Sequence, residues 1–346
     1  MTGGAGFIGR RLIAALDDSC EIAVLDALVP EVHAPGADFP SELRRRAHCV
    51  RADLGDVAAW RGAAAGVDVV VHLAALTGTG DSDAQPKRYL DHNVLATVRL
   101  CEVLDVCQPS RVVLASSRAV YGEGPYRAGD RVVYPGARRA AALAAGQWEC
   151  VGAGEPMLCD ESAAAQPVSF YGLTKLWQEQ VLSAFAATRG IGLHVLRLQN
   201  VYGPLQDGTN PAAGIVATLA RNIICGRGVE LFEDGEMTRD FVHVDDVVRA
   251  IISSIEVATG QQTFNIGTGS RTSLREMVRM LSGFAGESPM VSCAGRYRLG
   301  DVRHAAADMS RYARAAGAWT PIALADGLSS YVDWLSQHLQ ETTCRE

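Results

Sequence analysis

The chain opens with Thr2-Gly3-Gly4-Ala5-Gly6-Phe7-Ile8-Gly9-Arg10, and a helical pattern of apolar residues follows. Gly3, Gly6 and Gly9 are spaced G-x-x-G-x-x-G, and Gly4, Gly6 and Gly9 also fit G-x-G-x-x-G. Glycines at this spacing let the backbone turn sharply and approach a pyrophosphate, which then lies at a helix N-terminus. The stretch therefore predicts the first turn of a dinucleotide-binding fold. A glycine-rich turn without a ligand is the alternative.

An acidic residue stands where such a fold binds ribose. Glu21–Leu25 (EIAVL) is typical of a buried strand, and Asp26 follows at its carboxyl end. A carboxylate there accepts hydrogen bonds from a ribose 2′-hydroxyl and repels a 2′-phosphate, which favours NAD over NADP. The alternative is a surface aspartate at the end of a strand.

The start of the chain conflicts with this interpretation. The glycine turn should follow a strand, and Met1 and Thr2 are too few residues to form one. We expect that residues upstream of this numbering supply the strand, or that the start is assigned wrongly.

Further strands and helices alternate along the first half of the chain. The strand 49–54 ends in Asp53 and Leu54, which are placed to flank an adenine. Val67–Leu73 (VDVVVHL) ends in Ala74-Ala75, small residues that let a cofactor lie close. A helix is predicted over 90–104, with Asn93 in its first turns. This alternation predicts a doubly wound parallel sheet.

A second motif, Tyr171-Gly172-Leu173-Thr174-Lys175, is typical of a tyrosine that acts as a general base. A tyrosine and a lysine four residues apart lie on one face of a helix. An ammonium there stabilises a phenolate and lowers the tyrosine pKa from about 10 toward the range of a general base. The strand 111–115 delivers Ser116 and Ser117 to its carboxyl end, where such sheets bind ligands. Tyr-x-x-x-Lys alone is weak evidence, and two serines also occur as simple strand caps.

The composition excludes several classes of protein. Hydrophobic residues make up 48% of the 346 residues and charged residues 21%, which is typical of a globular chain. The net charge of −7 argues against non-specific nucleic-acid binding. Nine scattered cysteines, with no signal peptide and no apolar run long enough for a bilayer, favour a reduced cytoplasm and no membrane partner.

Six motifs and Asp26 together resemble one superfamily. The motifs are TGGAGFIG (2–9), HLAA (72–75), SSRAVYG (116–122), YGLTK (171–175), NVYGP (200–204) and RDFVHVDDV (239–247). In this order they resemble the extended short-chain dehydrogenases/reductases, and within them the NAD-dependent nucleotide-sugar epimerases and dehydratases. The resemblance implies an α/β fold: a Rossmann-type doubly wound parallel sheet with a smaller, mostly α-helical substrate-binding lobe.

The resemblance also implies roles for individual residues. Ser117 matches the catalytic Ser/Thr, Tyr171 the base, and Lys175 the partner that also holds the nicotinamide ribose. The residues expected to bind NAD are Gly3, Gly6, Phe7, Ile8, Gly9, Asp26, Asp53, Leu54, Leu73, Ala74, Ala75, Asn93, Tyr171 and Lys175. The residues expected to bind the nucleotide-diphosphate sugar are Ser117, Arg118, Tyr171, Asn200, Arg239, Arg298 and Asp301.

The two residues that follow the catalytic serine distinguish the reactions catalysed by members of this family. Sugar 4,6-dehydratases of the family carry an Asp-Glu pair there, which eliminates the 6-hydroxyl. This chain has Arg118 and Ala119, and neither can serve as that acid or base. Reversible oxidation at C4 remains, which is the chemistry of a 4-epimerase. The alternatives are other nucleotide-sugar enzymes (a UDP-hexose or UDP-uronate epimerase, a 4-ketoreductase or a dehydratase) and a non-catalytic NAD-binding sensor.

An insertion is predicted over about 122–162. Cys150 and Cys159 lie in it, but a zinc site needs about four ligands, so no metal is expected and a surface excursion near the substrate is favoured. Its SSxxxYGEG start and its cysteines are similar to those of dTDP-L-rhamnose 4-epimerase-like proteins, which suggests a dTDP-6-deoxyhexose as substrate.

Domain boundaries and an oligomer follow from the same resemblance. We expect an NAD-binding domain over 1–190, to which segments near 193–203 and 239–256 return. The nucleotide-sugar-binding lobe is expected over 204–238 and 257–346. The helix that begins at Tyr171 continues as an apolar stripe, which in this family often forms a four-helix bundle between two subunits, so a homodimer is expected.

Overall fold

The computed structural model describes residues 1–30, 32–33, 36–150, 152–206, 208–209, 214–256 and 260–343. The predicted lobe segments 204–238 and 257–346 and the insertion each include some residues outside these ranges. The strands are, in chain order, β1 (Ala23–Asp26), β2 (His48–Arg51), β3 (Val69–His72), β4 (Arg111–Ser117), β5 (Tyr126–Ala128), β6 (Arg131–Val133), β7 (Glu155–Pro156), β8 (Gly192–Leu198), β9 (Asn200–Tyr202), β10 (Val229–Leu231), β11 (Thr238–Arg239), β12 (Phe241–His243), β13 (Gln261–Ile266), β14 (Thr272–Ser273) and β15 (Val291–Cys293).

The helices are, in chain order, α1 (Phe7–Ala15), α2 (Ser41–Arg46), α3 (Val57–Ala63), α4 (Thr79–Ala84), α5 (Pro86–Tyr89), α6 (Ala96–Cys107), α7 (Ala140–Ala144), α8 (Phe170–Arg189), α9 (Ile215–Ile224), α10 (Val244–Glu256), α11 (Leu274–Ala285), α12 (Ser310–Ala316) and α13 (Leu324–Thr343). The predicted helix over 90–104 begins as a π-helical segment, Leu90–Leu95, before α6. None of the helices in the described ranges combines the length and apolar character that crossing a bilayer requires.

The chain divides into two compact units. The first consists of Met1–Val120, Ser169–Leu198 and Val247–Phe264. The second consists of Tyr121–Val168, Gln199–Asp246 and Asn265–Glu346.

The first unit is built on parallel strands. β1 pairs with β2, and β4 lies between β3 and β8. Thr2 forms parallel bridges to Leu25 of β1 and to His72 of β3. Its N–H donates to the carbonyl of Val71 at 3.0 Å, and its carbonyl accepts from Leu73 at 3.1 Å. The residues before the glycine turn therefore lie between β1 and β3, where the sequence led us to expect a strand.

Helices cover both faces of this sheet. Neighbouring residues of a strand point to opposite faces, and β1 shows the consequence. Val24 packs in one cluster with Ile13 of α1, whereas Leu25 packs in another with Trp60 of α3 and Leu100 of α6. The predicted doubly wound α/β fold is confirmed.

The second unit has a separate apolar core. Residues of α9, α11 and α13 pack together in it, among them Leu219, Met277 and Leu328. Short sheets accompany these helices: β10 pairs with β15, β12 with β9, and β11 antiparallel with β14. The sheet β6-β5-β7 lies in the inserted segment.

The two units divide the chain differently from the predicted domains. The inserted segment Tyr121–Val168 belongs to the second unit, because its backbone is bonded there: Cys159 donates to the carbonyl of Ala306 and accepts from Asp308, both at 2.9 Å. With this segment included, the second unit is no smaller than the first. Likewise 199–203 and 239–246 lie in the second unit, where β9 and β12 pair with each other.

Candidate active site

Two positions of the first turn must be glycine, because neighbouring backbone atoms lie too close for a side chain. Gly3 has a φ of 68°, and a Cβ there would lie 2.7 Å from the backbone nitrogen of Ala74. A Cβ on Gly9 would lie 2.6 Å from Cα of Gly4. Contacts this short with backbone atoms leave no room for a side chain. The glycines thus bring α1 directly onto the turn, beside the small residues that end β3.

The N-terminus of α1 offers donors. Gly6 is its N-cap residue and makes no side-chain cap hydrogen bond. The first N–H groups of a helix have no acceptor within the helix, so those of Phe7 and Ile8 are suited to an anion.

Asp26 holds the glycine turn in place. Its Oδ2 accepts from the N–H of Ala5 at 3.0 Å, and its Oδ1 accepts from the N–H of Leu28 at 2.9 Å. His33 Nε2 lies 3.7 Å from Oδ1. The carboxylate therefore ties the end of β1 to the turn, a role that the sequence pattern did not reveal. Its expected contact with a ribose hydroxyl stays a prediction.

The other residues expected to bind the cofactor differ in their surroundings. Asp53 Oδ1 accepts from the N–H of Gly55 at 2.7 Å, while the side chain of Leu54 is buried in the core. Leu73, Ala74 and Ala75 follow β3 and are partly exposed. Their roles toward an adenine and a nicotinamide stay predictions.

Asn93 braces α8. Its Oδ1 accepts from the N–H of Leu76 at 2.8 Å, and its Nδ2 donates to the Leu76 carbonyl and to Oγ1 of Thr174 at 3.1 and 3.0 Å. Both polar atoms of the buried amide are therefore engaged within the protein. The bonds link the segment after β3 to the helix that carries Tyr171 and Lys175.

Ser117 and Tyr171, the residues expected to form a catalytic pair, are neighbours in the structure, and their catalytic role stays a prediction. Ser117 ends β4, and Tyr171 lies in the first turn of α8. Burial raises the pKa of Tyr171, and this is the largest effect on it. A hydrogen bond with the Ser117 side chain and the charge of Arg118 both lower the pKa. The protein thus favours the phenol form of Tyr171 and partly offsets this through two neighbours.

Lys175 is buried and is held by its own helix. Its Nζ donates to Oε1 of Gln178 at 2.6 Å. Burial lowers the pKa of Lys175 to about 7, and the charge of Glu179 acts in the opposite direction. The sequence led us to expect that Lys175 lowers the pKa of Tyr171. In the structure the cation that does so is Arg118.

Gln178 connects Lys175 to a buried polar network. Its Nε2 lies 2.8 Å from Oγ1 of Thr97 and 3.2 Å from Nε2 of His72. Nδ1 of His72 is 2.7 Å from Oγ1 of Thr2. Burial lowers the pKa of His72 to about 3, so the imidazole is neutral. Gln178 belongs to none of the sequence motifs, although its spacing of three from Lys175 on one helix was a usable signal.

The first turn of α8 is anchored by three side chains. The N–H groups of Phe170, Tyr171 and Gly172 donate to Asp83 Oδ1, Ser82 Oγ and Ser169 Oγ at 3.1, 3.0 and 3.1 Å. Side-chain acceptors at a helix N-terminus stabilise it by about 1 kcal/mol. Ser82 and Asp83 were also missed, because only the tertiary fold brings α4 to α8.

In the second unit, Asn200 and Arg239 lie on β9 and β11. Oδ1 of Asn200 is buried without a protein partner. Arg239 is 6% exposed, and its Nη1 donates to the carbonyls of Thr238 at 2.8 Å and Arg303 at 3.3 Å. Burial lowers its pKa. Backbone oxygens thus hold a desolvated guanidinium, which suits an incoming phosphate.

Arg298 and Asp301 lie on the segment after β15. The guanidinium carbon of Arg298 is 5.4 Å from the ring centre of Phe232, and that of Arg296 is 5.5 Å from it. The N–H of Asp301 donates to the carbonyl of Arg298 at 3.3 Å. Phe232 therefore orients the cationic side chain expected to contact the diphosphate.

Arg271 is a cation that sequence reasoning did not single out. It lies between β13 and β14, and its Nε and Nη2 are buried without a partner in the protein. Burial lowers its pKa, while Tyr126 and Asp240 act in the opposite direction. Buried donor nitrogens without a partner are costly, so Nε and Nη2 of Arg271 are suited to an anionic ligand.

The model of the NAD dependent epimerase/dehydratase family matches residues 1–267. The chain belongs to this family. It is 39% identical over 350 residues to dTDP-L-rhamnose 4-epimerase of Burkholderia thailandensis, covering 98% of this chain and 95% of that protein. It is 32% identical to UDP-glucose 4-epimerase of Mycolicibacterium smegmatis, covering 98% and 99%. Among solved structures, MoeE5 in complex with UDP-glucose and NAD is 33% identical, covers 98% of both chains and has a TM-score of 0.78.

Membership of this family makes NAD the cofactor, and the residues present fit it. The cradle of Gly3 and Gly9, which a Cβ would fill, lies before the uncapped N-terminus of α1. This combination suits a pyrophosphate. The resemblance inferred from the sequence motifs is confirmed.

Proposed function

We propose that the protein is an NAD-dependent nucleotide-sugar 4-epimerase that acts through a 4-keto intermediate, with a dTDP-linked 6-deoxyhexose as substrate. The observation that carries the proposal is the hydrogen bond between Ser117 and Tyr171, next to Arg118 rather than a carboxylate. The relative named dTDP-L-rhamnose 4-epimerase, 39% identical over nearly the whole chain, supports the choice of sugar.

Proton transfer is the task of the first unit's own residues. Tyr171 takes the proton of the sugar's C4 hydroxyl, and Ser117 orients that hydroxyl through its hydrogen bond to the phenol. Bound NAD supplies the hydride acceptor and donor. Tyr171 returns the proton once the 4-keto sugar has turned its other face, so the enzyme and cofactor end unchanged. Arg118 stabilises the phenolate during the step, since its charge lowers the pKa of Tyr171.

Lys175 has two tasks in this proposal. Its ammonium holds the hydroxyls of the nicotinamide ribose, and Gln178 keeps it in position when the ribose is absent. Because the burial of Lys175 lowers its pKa to about 7, its charge depends on such partners.

Binding of the diphosphate and nucleoside is assigned to the second unit. Arg239 and Arg298 contact the diphosphate, Asp301 contacts the ribose, and Asn200 contacts the sugar. Support comes from the desolvated guanidinium of Arg239 and from the unpartnered Oδ1 of Asn200. A nucleobase is expected along the strand that ends before Phe232, since an aromatic face suits a base.

Two subunits associate through α6 and α8 in this proposal. α6 exposes Val98 and Val106, and α8 carries the partly buried Trp177 and Phe185. Apolar side chains on two neighbouring helices favour a four-helix bundle between two copies. A cytoplasmic location stays a prediction from the sequence.

The test is incubation with dTDP-L-rhamnose, UDP-glucose and UDP-glucuronate, each in heavy water, followed by proton NMR. We expect one sugar to give its C4 epimer with every carbon-bound proton retained, which requires hydride return. Tyr171→Phe should abolish the conversion while leaving NAD bound. Deuterium at C3 or C5, or an accumulating 4-keto sugar, would show enolisation or elimination and overturn the assignment. NAD that binds only weakly and reversibly would also argue against it.

A further inference from the structure

Glu233 has an unusual backbone conformation for its residue type. Its φ is 54°, in the left-handed region, and the residue is 2% exposed. A non-glycine residue in such a conformation, like a buried carboxylate, is costly unless its surroundings compensate. The compensation comes from Arg138, whose Nη1 and Nη2 donate to Oε2 and Oε1 of Glu233 at 2.9 and 2.7 Å.

Arg138 belongs to the inserted segment and has further partners. Its Nη2 donates to the backbone carbonyl of Asp301 and its Nη1 to that of Trp148, both at 3.0 Å. Its Nε lies 3.3 Å from Oε1 of Glu123, and the side chain is 4% exposed. One buried guanidinium therefore joins the insertion to the turn after β10 and to the segment that contains Asp301.

Arg303 makes a second set of bonds between the same three stretches. Its Nη1 is 3.0 Å from Glu233 and 2.7 Å from Asp234, and its Nε donates to Glu149 of the insertion at 2.7 Å. Its backbone N–H donates to Glu123 Oε1 at 2.7 Å. The pairs that Arg138 and Arg303 form with Glu233 are buried and share one carboxylate, so they set a single geometry, whereas Glu149 and Asp234 are partly exposed partners of Arg303.

The stretches joined in this way carry residues assigned above to the nucleotide. Phe232, on which Arg298 lies, directly precedes Glu233, and Asp301 accepts a bond from Arg138 through its backbone. The ring of Trp148 in the insertion lies 6.4 Å from that of Tyr297, the neighbour of Arg298. Contacts from the insertion thus reach three places: Tyr297 beside Arg298, the backbone of Asp301, and Glu233. Glu233 follows Phe232, the ring over which Arg298 lies.

We propose that the inserted segment is a structural part of the nucleotide-diphosphate site and that Arg138 is its positioning residue. Through Glu233 and the Asp301 carbonyl, Arg138 fixes the positions of Phe232, Arg298 and Asp301, so the insertion sets the affinity for the nucleoside diphosphate. The inference rests on the proposed function, because it needs these residues to bind a nucleotide. It assigns a task to a segment whose sequence alone indicates only a surface excursion.

The test compares Arg138→Met with Arg139→Met, an exposed neighbour, by calorimetric titration with dTDP and with UDP. We expect Arg138→Met to weaken binding of the nucleotide that the wild type binds more tightly by at least tenfold. The variant should raise KM more than it lowers kcat, and its content of bound NAD should be unchanged. Arg139→Met should match the wild type. A purely structural role for Arg138 would instead lower NAD content and nucleotide binding together.

Arg138→Met removes one of the two guanidinium partners of the buried Glu233 carboxylate and leaves only Arg303 Nη1, 3.0 Å away, so this variant is open to misfolding. The double variant Arg138→Met/Glu233→Gly removes that carboxylate and relaxes the positive φ, so it keeps the test decisive. We expect it to be at least as stable as the single variant and still to bind the nucleotide at least tenfold more weakly. Binding within twofold of the wild type in either folded variant would overturn the inference. If the wild type binds neither dTDP nor UDP, the proposed function fails instead.

Discussion

The ammonium of Lys175 lies 2.6 Å from Oε1 of Gln178, three residues further along α8, in a site that excludes solvent. The bond holds Lys175 within its own helix, and Nε2 of the same amide reaches Thr97. The charge state of Lys175 should therefore respond to substitutions at position 178.

The first prediction concerns that charge state. The chain has two lysines, Lys87 and Lys175, so protein labelled with [13C]lysine gives two assignable side-chain signals. In the NAD-free protein, the Lys175 signal should titrate with a pKa of about 7. Gln178→Glu should raise this pKa, since a carboxylate stabilises the ammonium, and Gln178→Met should lower it. Identical titrations in the three proteins would exclude Gln178 as the partner.

The second prediction concerns stability and pH. An unfolded lysine keeps its proton up to about pH 10.4, whereas the pKa of Lys175 in the folded protein is about 7. Between these values the unfolded state binds more protons, so the free energy of unfolding rises with pH. Below pH 7 the full cost of burying Lys175 is present. The free energy of unfolding of Lys175→Met, measured by urea denaturation, should therefore exceed that of the wild type. The difference should be largest at pH 6 and smallest near pH 10. Lys87→Met, at an exposed position, should lack this trend.

The third prediction concerns the pH profile of the reaction. Arg118 lowers the pKa of Tyr171, and the base must be deprotonated to act. Arg118→Met should raise that pKa and move the acid limb of kcat/KM to higher pH, whereas Arg118→Lys should keep the limb near its wild-type position. The profile is measured with the sugar identified by NMR. If the acid limb of kcat/KM does not move in Arg118→Met, Arg118 does not set the pKa of the catalytic base.

The fourth prediction concerns Arg271. Its Nε and Nη2 are buried without a protein partner, so Arg271→Met should stabilise the ligand-free protein by about 1 kcal/mol or more. The same change should weaken dTDP or UDP binding if an anion of the ligand occupies the site. Thermal melts with and without nucleotide measure both effects. Arg279→Met, at an exposed position on α11, should change neither.

The fifth prediction compares two helical glycines of the first unit. A Cβ at Gly9 would meet Gly4 backbone atoms at 2.6 and 2.7 Å, whereas a Cβ at Gly62 would meet nothing within 4 Å. Gly9→Ala should therefore displace α1 from the turn and reduce the NAD that co-purifies by at least tenfold. Gly62→Ala should stabilise the protein by about 0.5–1 kcal/mol through helix propensity. Normal NAD content in Gly9→Ala would show that the close approach is not required.

The fold was predictable because it depends on local patterns, whereas the pair Ser117–Tyr171, which is distant in the chain, was expected from the family's motifs. Gly9 satisfies a backbone contact within one turn and Gly3 a contact with Ala74 after β3, and these contacts admit only glycine. The alternation of buried strands and helices predicts the doubly wound sheet. Tyr171 and Lys175 share a helix face because residues four apart in any α-helix do so.

The environment of these residues was less predictable. The sequence placed Lys175 near Tyr171, but burial and Gln178 decide its pKa, and Arg118 is the cation that acts on the phenol. The contact of Asn93 with the cofactor stays a prediction, and the bonds of its amide to Leu76 and Thr174 were not foreseen. Desolvation and hydrogen bonding depend on which distant segments cover a side chain, and one sequence does not contain that information.

The sequence by itself determined the family, since short-range motifs decide it, and from the same motifs it predicted the cofactor turn and the proton-transfer pair. Only the tertiary structure decided that the insertion belongs with the second unit and that Arg138 pairs with Glu233, 95 residues away. An ion pair across such a separation carries no periodicity in the chain. It forms because the fold buries both charges together, where a buried charge is stable only with charged partners such as these.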